Sequence, residues 1–352
     1  MEPAARRISQ RIARNRRRPL DELTADAWQI RHGNFRPLLG ISAPSPKVYI
    51  TGSFRNRPGR FVNISVTGTK CSLRCDHCRG RLLHDMIPAE TPERLVEVGA
   101  GLKKKGCLGV LVSGGSVSDG FVPLRPFAGA IGKLRQIGLK VIAHTGLIDR
   151  DTAQALKDAG VMQVLIDVMG DTKTIRDVYH MKREPADFRR ALLMMREVGL
   201  DLAPHVLLGL HFGRLRGEYR ALRYITEAGP QALVVIALTR IRGTPMAGIT
   251  PPSNEEIGRF LAVSRILNPK VPLILGCMRQ SGPEKPAMER AAIDAGVNAI
   301  AYPLDRSVDY AKKRGLRPVF TEECCSLMGD ALPLRTSGQR SAGSVQGRRS
   351  HA

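Results

Sequence analysis

Three cysteines share one short run, Cys71-Ser72-Leu73-Arg74-Cys75-Asp76-His77-Cys78, a C-x3-C-x2-C triplet. Thiolates are the usual ligands of iron–sulfur clusters. Three of them in one loop satisfy three irons of a 4Fe–4S cube and leave the fourth open to a chelating ligand. The alternative is a zinc site, which wants four ligands and a second Cys or His pair at its own spacing; His77 and His84 are the nearby candidates. A second group consists of Cys277, in Leu275-Gly276-Cys277-Met278-Arg279, and Cys324-Cys325, in Glu322-Glu323-Cys324-Cys325-Ser326. Adjacent cysteines flanked by glutamates are poor core material, so this set is expected to hold a second, auxiliary iron–sulfur cluster. Ser326 or Arg279 would complete it, or one iron would stay open. The bland alternative is that these are small buried residues, as free cysteines commonly are. Cys107 is the seventh cysteine; an odd count cannot pair fully within one chain, which favours metal or redox chemistry over a disulfide framework.

These groups need a scaffold that brings distant residues to one face. Between Arg60 and Pro303, short β-branched apolar runs alternate with longer helical stretches. The expected strands are residues 61–66, 108–113, 140–144, 162–167, 202–209, 232–237, 272–276 and 299–302. Candidate helices include 91–105, 151–159, 187–198, 218–228, 254–266 and 284–295. Thr91-Pro92 is a helix start and Gly106 a stop, and Ser253 with Glu256 is a capping box. Eight β/α units predict an α/β fold, a TIM-like (β/α) barrel, which a chain of 352 residues can form as one unit. In such a barrel the loops following the strands form the face where chemistry occurs. The triplet follows the first strand and Cys277 the seventh, so both belong there. Cys107 precedes the second strand and is expected on the opposite face, in a structural role.

The net charge of +23 is concentrated partly at the ends. Arg6, Arg7, Arg11, Arg14, Arg16, Arg17 and Arg18 stand against Glu2 alone, and Arg335, Arg340, Arg348 and Arg349 lie among Gly and Ser. The expected organisation is a basic N-terminal tail and helical lead-in at 1–45, a barrel with a C-terminal auxiliary-cluster segment at 46–330, and a basic tail at 331–352. Both basic ends are expected to be disordered and solvated. Their attraction to polyanions would be non-specific and salt-sensitive, so nucleic acid is not an expected partner. No apolar run approaches the ~18 residues of a membrane span, and the Arg-rich start lacks the apolar core of a secretory signal. The expectation is a soluble cytoplasmic protein without a membrane partner.

The triplet, Ser113-Gly114-Gly115, His144-Thr145-Gly146, the stretch from Pro204 to His211, Leu275 to Arg279 and the late Cys324-Cys325 together resemble the radical S-adenosylmethionine superfamily, in a biotin synthase-like branch, from about Phe61 to Cys325. The resemblance implies that S-adenosyl-L-methionine chelates the open iron through its amine and carboxylate. Reductive cleavage by an external one-electron donor then gives a 5′-deoxyadenosyl radical. It also implies cofactor contacts for His77 at adenine, and for Ser113, Gly114 and Gly115 at the methionine amine, where side-chain-free residues permit close approach. His144, Asp167, His205, Gly209 and Glu218 would lie about the adenosyl group, with Asp167 and Glu218 as ribose partners, and Gly243-Thr244-Pro245 has a counterpart in the branch. Ser116 departs from the acidic residue the superfamily often carries. For each of these positions the plain alternative is a loop histidine or a satisfied buried polar group. The branch is similar to the second component of archaeal-type two-protein lipoyl synthase. That implies sulfur insertion into a protein-bound octanoyl chain, the second cluster being the sulfur source. The substrate would be a lipoyl-domain carrier protein or an octanoyl-peptide, and the partner a second lipoyl synthase component. Two rivals stand beside this reading. One is a radical methyltransferase, methylthiolase or mutase whose second cluster relays electrons; the other is an RNA- or partner-binding protein with a structural metal.

Overall fold

Residues 3–45, 47–329, 332 and 334 are described by the computed structural model of the chain. The β-branched runs become parallel strands: β1 (Leu38–Ser42), β2 (Phe61–Ser65), β3 (Ile87–Pro88), β4 (Gly109–Ser113), β5 (Lys140–His144), β6 (Gln163–Asp167), β7 (Leu202–Leu208), β8 (Leu233–Ala237), β9 (Leu273–Leu275), β10 (Ala299–Ala301) and β11 (Arg317–Thr321). The helices are α1 (Pro3–Arg16), α2 (Leu20–Asn34), α3 (Pro92–Lys104), α4 (Ala128–Gln136), α5 (Arg150–Asp158), α6 (Thr172–Asp177), α7 (Pro185–Glu197), α8 (Glu218–Ala228), α9 (Asn254–Leu267), α10 (Lys285–Asp294) and α11 (Asp305–Lys313). α3 starts on the Thr91 cap with Pro92 in its first turn, and α9 on the Ser253–Glu256 capping box, as their sequences predict.

The eight expected strands are β2 and β4 to β10, in barrel order. The full order is β11-β1-β10-β9-β8-β7-β6-β5-β4-β2-β3. β1, β3 and β11 were not expected. β1 lies beside β10, where a closed eight-stranded barrel would place its first strand, so the TIM-like sheet curls as a half-barrel. Among the described residues no ladder joins its two edges. Side chains span the seam: Glu322, just past β11, pairs with Arg57 at 3.0 Å and Arg60 at 3.4 Å, both just before β2.

The interior is filled from the C-terminal end of the chain. Cys325, Met328 and Leu332 pack against the inward side chains Phe61, Ile142, Leu165, Val234, Ile274 and Ala299. Gly40 in β1 admits this segment, since a Cβ there would lie 2.3 Å from Met328 Cε. The flanking acids fix its entry: Glu322 as above, and Glu323 on Lys140 Nζ at 2.7 Å.

The basic N-terminal segment is not a disordered tail. Residues 3–16 form α1, which buries Ala5, Ile12 and Asn15. Ala5, Ile8 and Ile12 share one helix face at i, i+3, i+7 spacing. The arginines add packing as well as charge: Arg11 Nη2 donates to Ile266 O at 2.9 Å, and the Arg16 guanidinium lies 4.1 Å from the Tyr219 ring centroid. Because β1 belongs to the same sheet, the folded unit also begins before residue 46. The tail from 335 lies outside the described residues. Among those described, no helix is long and apolar enough to cross a membrane.

Arg265 on α9 is fully buried and donates to Gly296 O at 3.1 Å, Asn268 O at 3.2 Å and Val271 O at 2.9 Å. Burial, with Arg31 nearby, lowers its pKa to about 9. Arg265→Leu strands these carbonyls and should cost about 3 kcal/mol, given the penalty of an unmet buried acceptor. The check is a lower urea midpoint with unchanged iron binding.

Candidate active site

The cysteine loop leaves β2 and is braced by the loop after β4. Ser65 Oγ donates to Gly68 O at 2.6 Å, Gly115 N to Thr67 Oγ1 at 2.6 Å, and Ser72 N to Ser116 O at 2.9 Å. A Cβ on Gly115 would fall 2.0 Å from Lys70 O and 2.7 Å from Cys71 Cβ. The second glycine of the pair therefore lets its loop lie directly on the first cysteine. Gly115→Ala should displace Cys71 and remove most of the iron held by the triplet, to be read by iron and sulfide counting. Within the loop, Cys78 N and Arg79 N both donate to Cys75 O, at 3.1 and 2.8 Å, and Arg74 and Arg79 take positive φ, 45° and 50°. This tight winding turns all three cysteines to one cavity.

That cavity, about 220 Å³, is lined by Cys71, Cys75, Cys78, His77, Ser113, Gly114, Gly115, His144 and Asp167, all expected from the sequence. The neighbouring Cys75 thiol, opposed by burial and aided by His77, lowers the pKa of the Cys78 thiol. Soft thiolates converging from one loop fit a 4Fe–4S cluster. His77 is not a solvent-facing loop histidine: its ring lies 5.3 Å from that of Tyr179, and its buried Nδ1 has no hydrogen-bond partner. An unmet donor or acceptor at that spot fits a ligand base. Tyr179, Met169, Met181 and Phe188 also line the cavity. Sequence reasoning missed them, because apolar and aromatic residues in such stretches carry no signal that separates a cavity wall from core.

His144 and Asp167, at the ends of β5 and β6, come together with His205, midway along β7. His144 Nε2 lies 3.6 Å from Asp167 Oδ1, and the two imidazole centroids are 5.7 Å apart. Burial pushes Asp167 up, but His144, then His205 and His77, outweigh it and bring the carboxyl down to about 2. Burial depresses His144 too, yet Asp167 beside it leaves the pKa raised; for His205 burial wins, and it falls to about 4. Ser113 Oγ donates to His144 O at 2.9 Å, so its hydroxyl holds β5. The carboxylate of Glu218 accepts from Gly209 N and Gly217 N, each at 3.0 Å, and so closes the loop after β7. It shares with Asp167 a smaller cavity of about 20 Å³. His205 and Gly209 do not line the larger one.

Residues 65–213 match the model of the radical SAM superfamily. Over these residues the chain carries a radical S-adenosylmethionine domain. It is similar, at 26% identity over 281 residues, to biotin synthase of Xylella fastidiosa strain M12, covering 74% of this chain and 80% of that protein. With biotin synthase of Actinobacillus pleuropneumoniae serotype 7 it shares 24% identity, covering 68% and 72%. Its fold is similar to those of methylornithine synthase (TM-score 0.58, 17% identity, 85% of this chain and 89% of that one) and the FeFe-hydrogenase maturase HydG of Carboxydothermus hydrogenoformans (0.59, 14%, 90% and 79%). The domain makes this a radical SAM iron–sulfur enzyme, for which the family implies a 4Fe–4S cluster and S-adenosylmethionine.

None of the second cysteine group lines the larger cavity. Gly276 lets the chain leave β9 against β8, since a Cβ there would meet Ile236 Cγ2 at 2.6 Å, and Cys277 follows, exposed. From β11 the chain reaches Cys324 and buried Cys325. The neighbouring Cys325, opposed by burial and joined by Ser326, lowers the pKa of the Cys324 thiol. Ser326 Oγ lies 3.5 Å from Cys324 Sγ. Arg279 is occupied elsewhere: its side chain is 2% exposed, with Nη1 on Gly276 O at 2.6 Å and Nη2 on Glu289 Oε1 at 2.7 Å. Cys107 is buried at the start of β4, its Sγ 3.2 Å from Gly109 O, in the structural place expected.

Proposed function

We propose that this enzyme inserts sulfur into a protein-bound octanoyl chain, as a lipoyl synthase does, and that Cys277, Cys324 and Cys325 hold an auxiliary iron–sulfur cluster as the sulfur source. The observation that carries this reading is the return of the C-terminal segment into the half-barrel, where Cys324 and Cys325 pack against inward-facing strand residues. The biotin synthase relatives support it. When bound, the 4Fe–4S cluster and S-adenosylmethionine supply the means of removing a hydrogen atom from an unactivated C–H bond. The chain's own part is positional. Cys71, Cys75 and Cys78 hold one cluster, Gly114 and Gly115 allow backbone approach, and Met169, Met181 and Phe188 keep water from the wall of the cavity. Ser326 is the neighbouring group placed to complete the second donor set.

The substrate in this reading is a lipoyl-domain carrier protein or its octanoyl-lysyl peptide, with an external one-electron donor and a second lipoyl synthase component acting alongside. The test is anaerobic incubation of reconstituted enzyme with an octanoyl-lysyl peptide, dithionite and that component, followed by mass. The expected product carries added sulfur, limited to about one turnover per auxiliary cluster. A product carrying a methyl group, or no sulfur, selects a methyltransferase or mutase instead.

A further inference from the structure

We propose that His144, Asp167 and His205 form a separate mononuclear metal site that takes one first-row divalent cation of the zinc or ferrous class. The three side chains offer ligand atoms that all lie within 4.8 Å of one another. Their convergence follows from the sheet. Asp167 and His205 are direct partners in the β6–β7 register, and His144, opposite Leu165 in the β5–β6 register, lies diagonally from Asp167. Adjacent parallel strands stand about 4.8 Å apart, so residues near one level of three neighbours present one compact donor set. Ligands held about 2.1 Å from a tetrahedral ion lie about 3.4 Å from one another, a distance these side chains reach by small rotations.

The donor types suit a borderline cation. Two imidazoles and one carboxylate on one side of an ion leave its remaining positions open, the pattern of non-haem ferrous and catalytic zinc sites. One of the groups also lacks a partner within the chain. Asp167 faces His144 Nε2 at 3.6 Å. His205 is 9% exposed and its buried Nδ1 has no partner. A buried imidazole nitrogen left unmet beside a carboxylate calls for a partner, which a bound ion would supply. Asp167 and His144 line the large cavity, so the site is open to entry and its vacant positions face the ligand space.

The test uses the reconstituted holoenzyme, in which the cluster thiols are already occupied, dialysed anaerobically against zinc and analysed for zinc and iron. Wild-type enzyme should gain about one zinc per chain without losing iron. His205→Gln, which keeps size and polarity, and His144→Ala should each weaken zinc by more than the roughly 100-fold that loss of an outer-shell partner costs, with iron content and circular dichroism unchanged. Saturating S-adenosylmethionine should leave the zinc in place. No zinc in the wild type, or zinc kept by both variants, overturns the proposal. Displacement of zinc by S-adenosylmethionine also overturns it, since the three side chains would then belong to the adenosyl group. None of these readings uses sulfur transfer, so the proposal stands or falls apart from the octanoyl reaction.

Discussion

Cys75→Ala enzyme, reconstituted anaerobically and reduced with dithionite, should release no 5′-deoxyadenosine above background and should lose about four of the roughly eight irons expected for the wild type. Cys75 is the buried member of the triplet, and its carbonyl anchors the turn on which Cys78 sits. Its replacement removes one ligand and leaves the other two unable to hold an iron open to the cofactor. Because Cys→Ala changes little volume, the fold should survive; Cys71→Ala, at a half-exposed position, tests the same loss where packing is looser. Chromatography of the reaction mixture measures the nucleoside. Cleavage that persists in both variants would remove the basis of the assignment.

The second large effect separates the two cysteine groups. Cys324→Ala/Cys325→Ala enzyme should also fall to about four irons but keep its cofactor cleavage, while sulfur transfer to an octanoyl-lysyl peptide drops to nothing. The radical-forming site is intact in this variant, since the triplet is held by the loops after β2 and β4 and not by the C-terminal segment. Cys107→Ala should change neither activity, its thiol being hydrogen-bonded to Gly109 O at the far end of β4. Sulfur transfer that survives loss of both cysteines rules out a sacrificial cluster. Loss of cofactor cleavage in the double variant would instead show that the second group feeds electrons to the first.

Much of the site was legible because its signals are local. The spacing from Cys71 to Cys78 specifies a chelating loop without reference to the rest of the chain, and Gly114-Gly115 marks a close approach that the structure shows to be against Lys70 and Cys71. The seven-residue β7 was likewise readable from alternation of strand and helix. The extra strands were not. β3 has two residues, and β1 and β11 lie outside the repeating β/α pattern that identified the others. α1 was hidden by its arginines, whose charge masked the apolar face of Ala5, Ile8 and Ile12.

By itself, then, the amino-acid order determined the chemistry of the first thiol group, the parallel α/β class and the face on which Cys277 must lie, because each depends on spacing over a few residues or on the direction of one strand. Only the tertiary structure decided that β1 enters beside β10 and that Cys325, Met328 and Leu332 fill the interior. Those contacts join residues far apart in the chain. They are selected by which apolar surfaces fit together and which buried charges find partners, such as Glu322 with Arg57 and Arg60, and no local pattern encodes that choice.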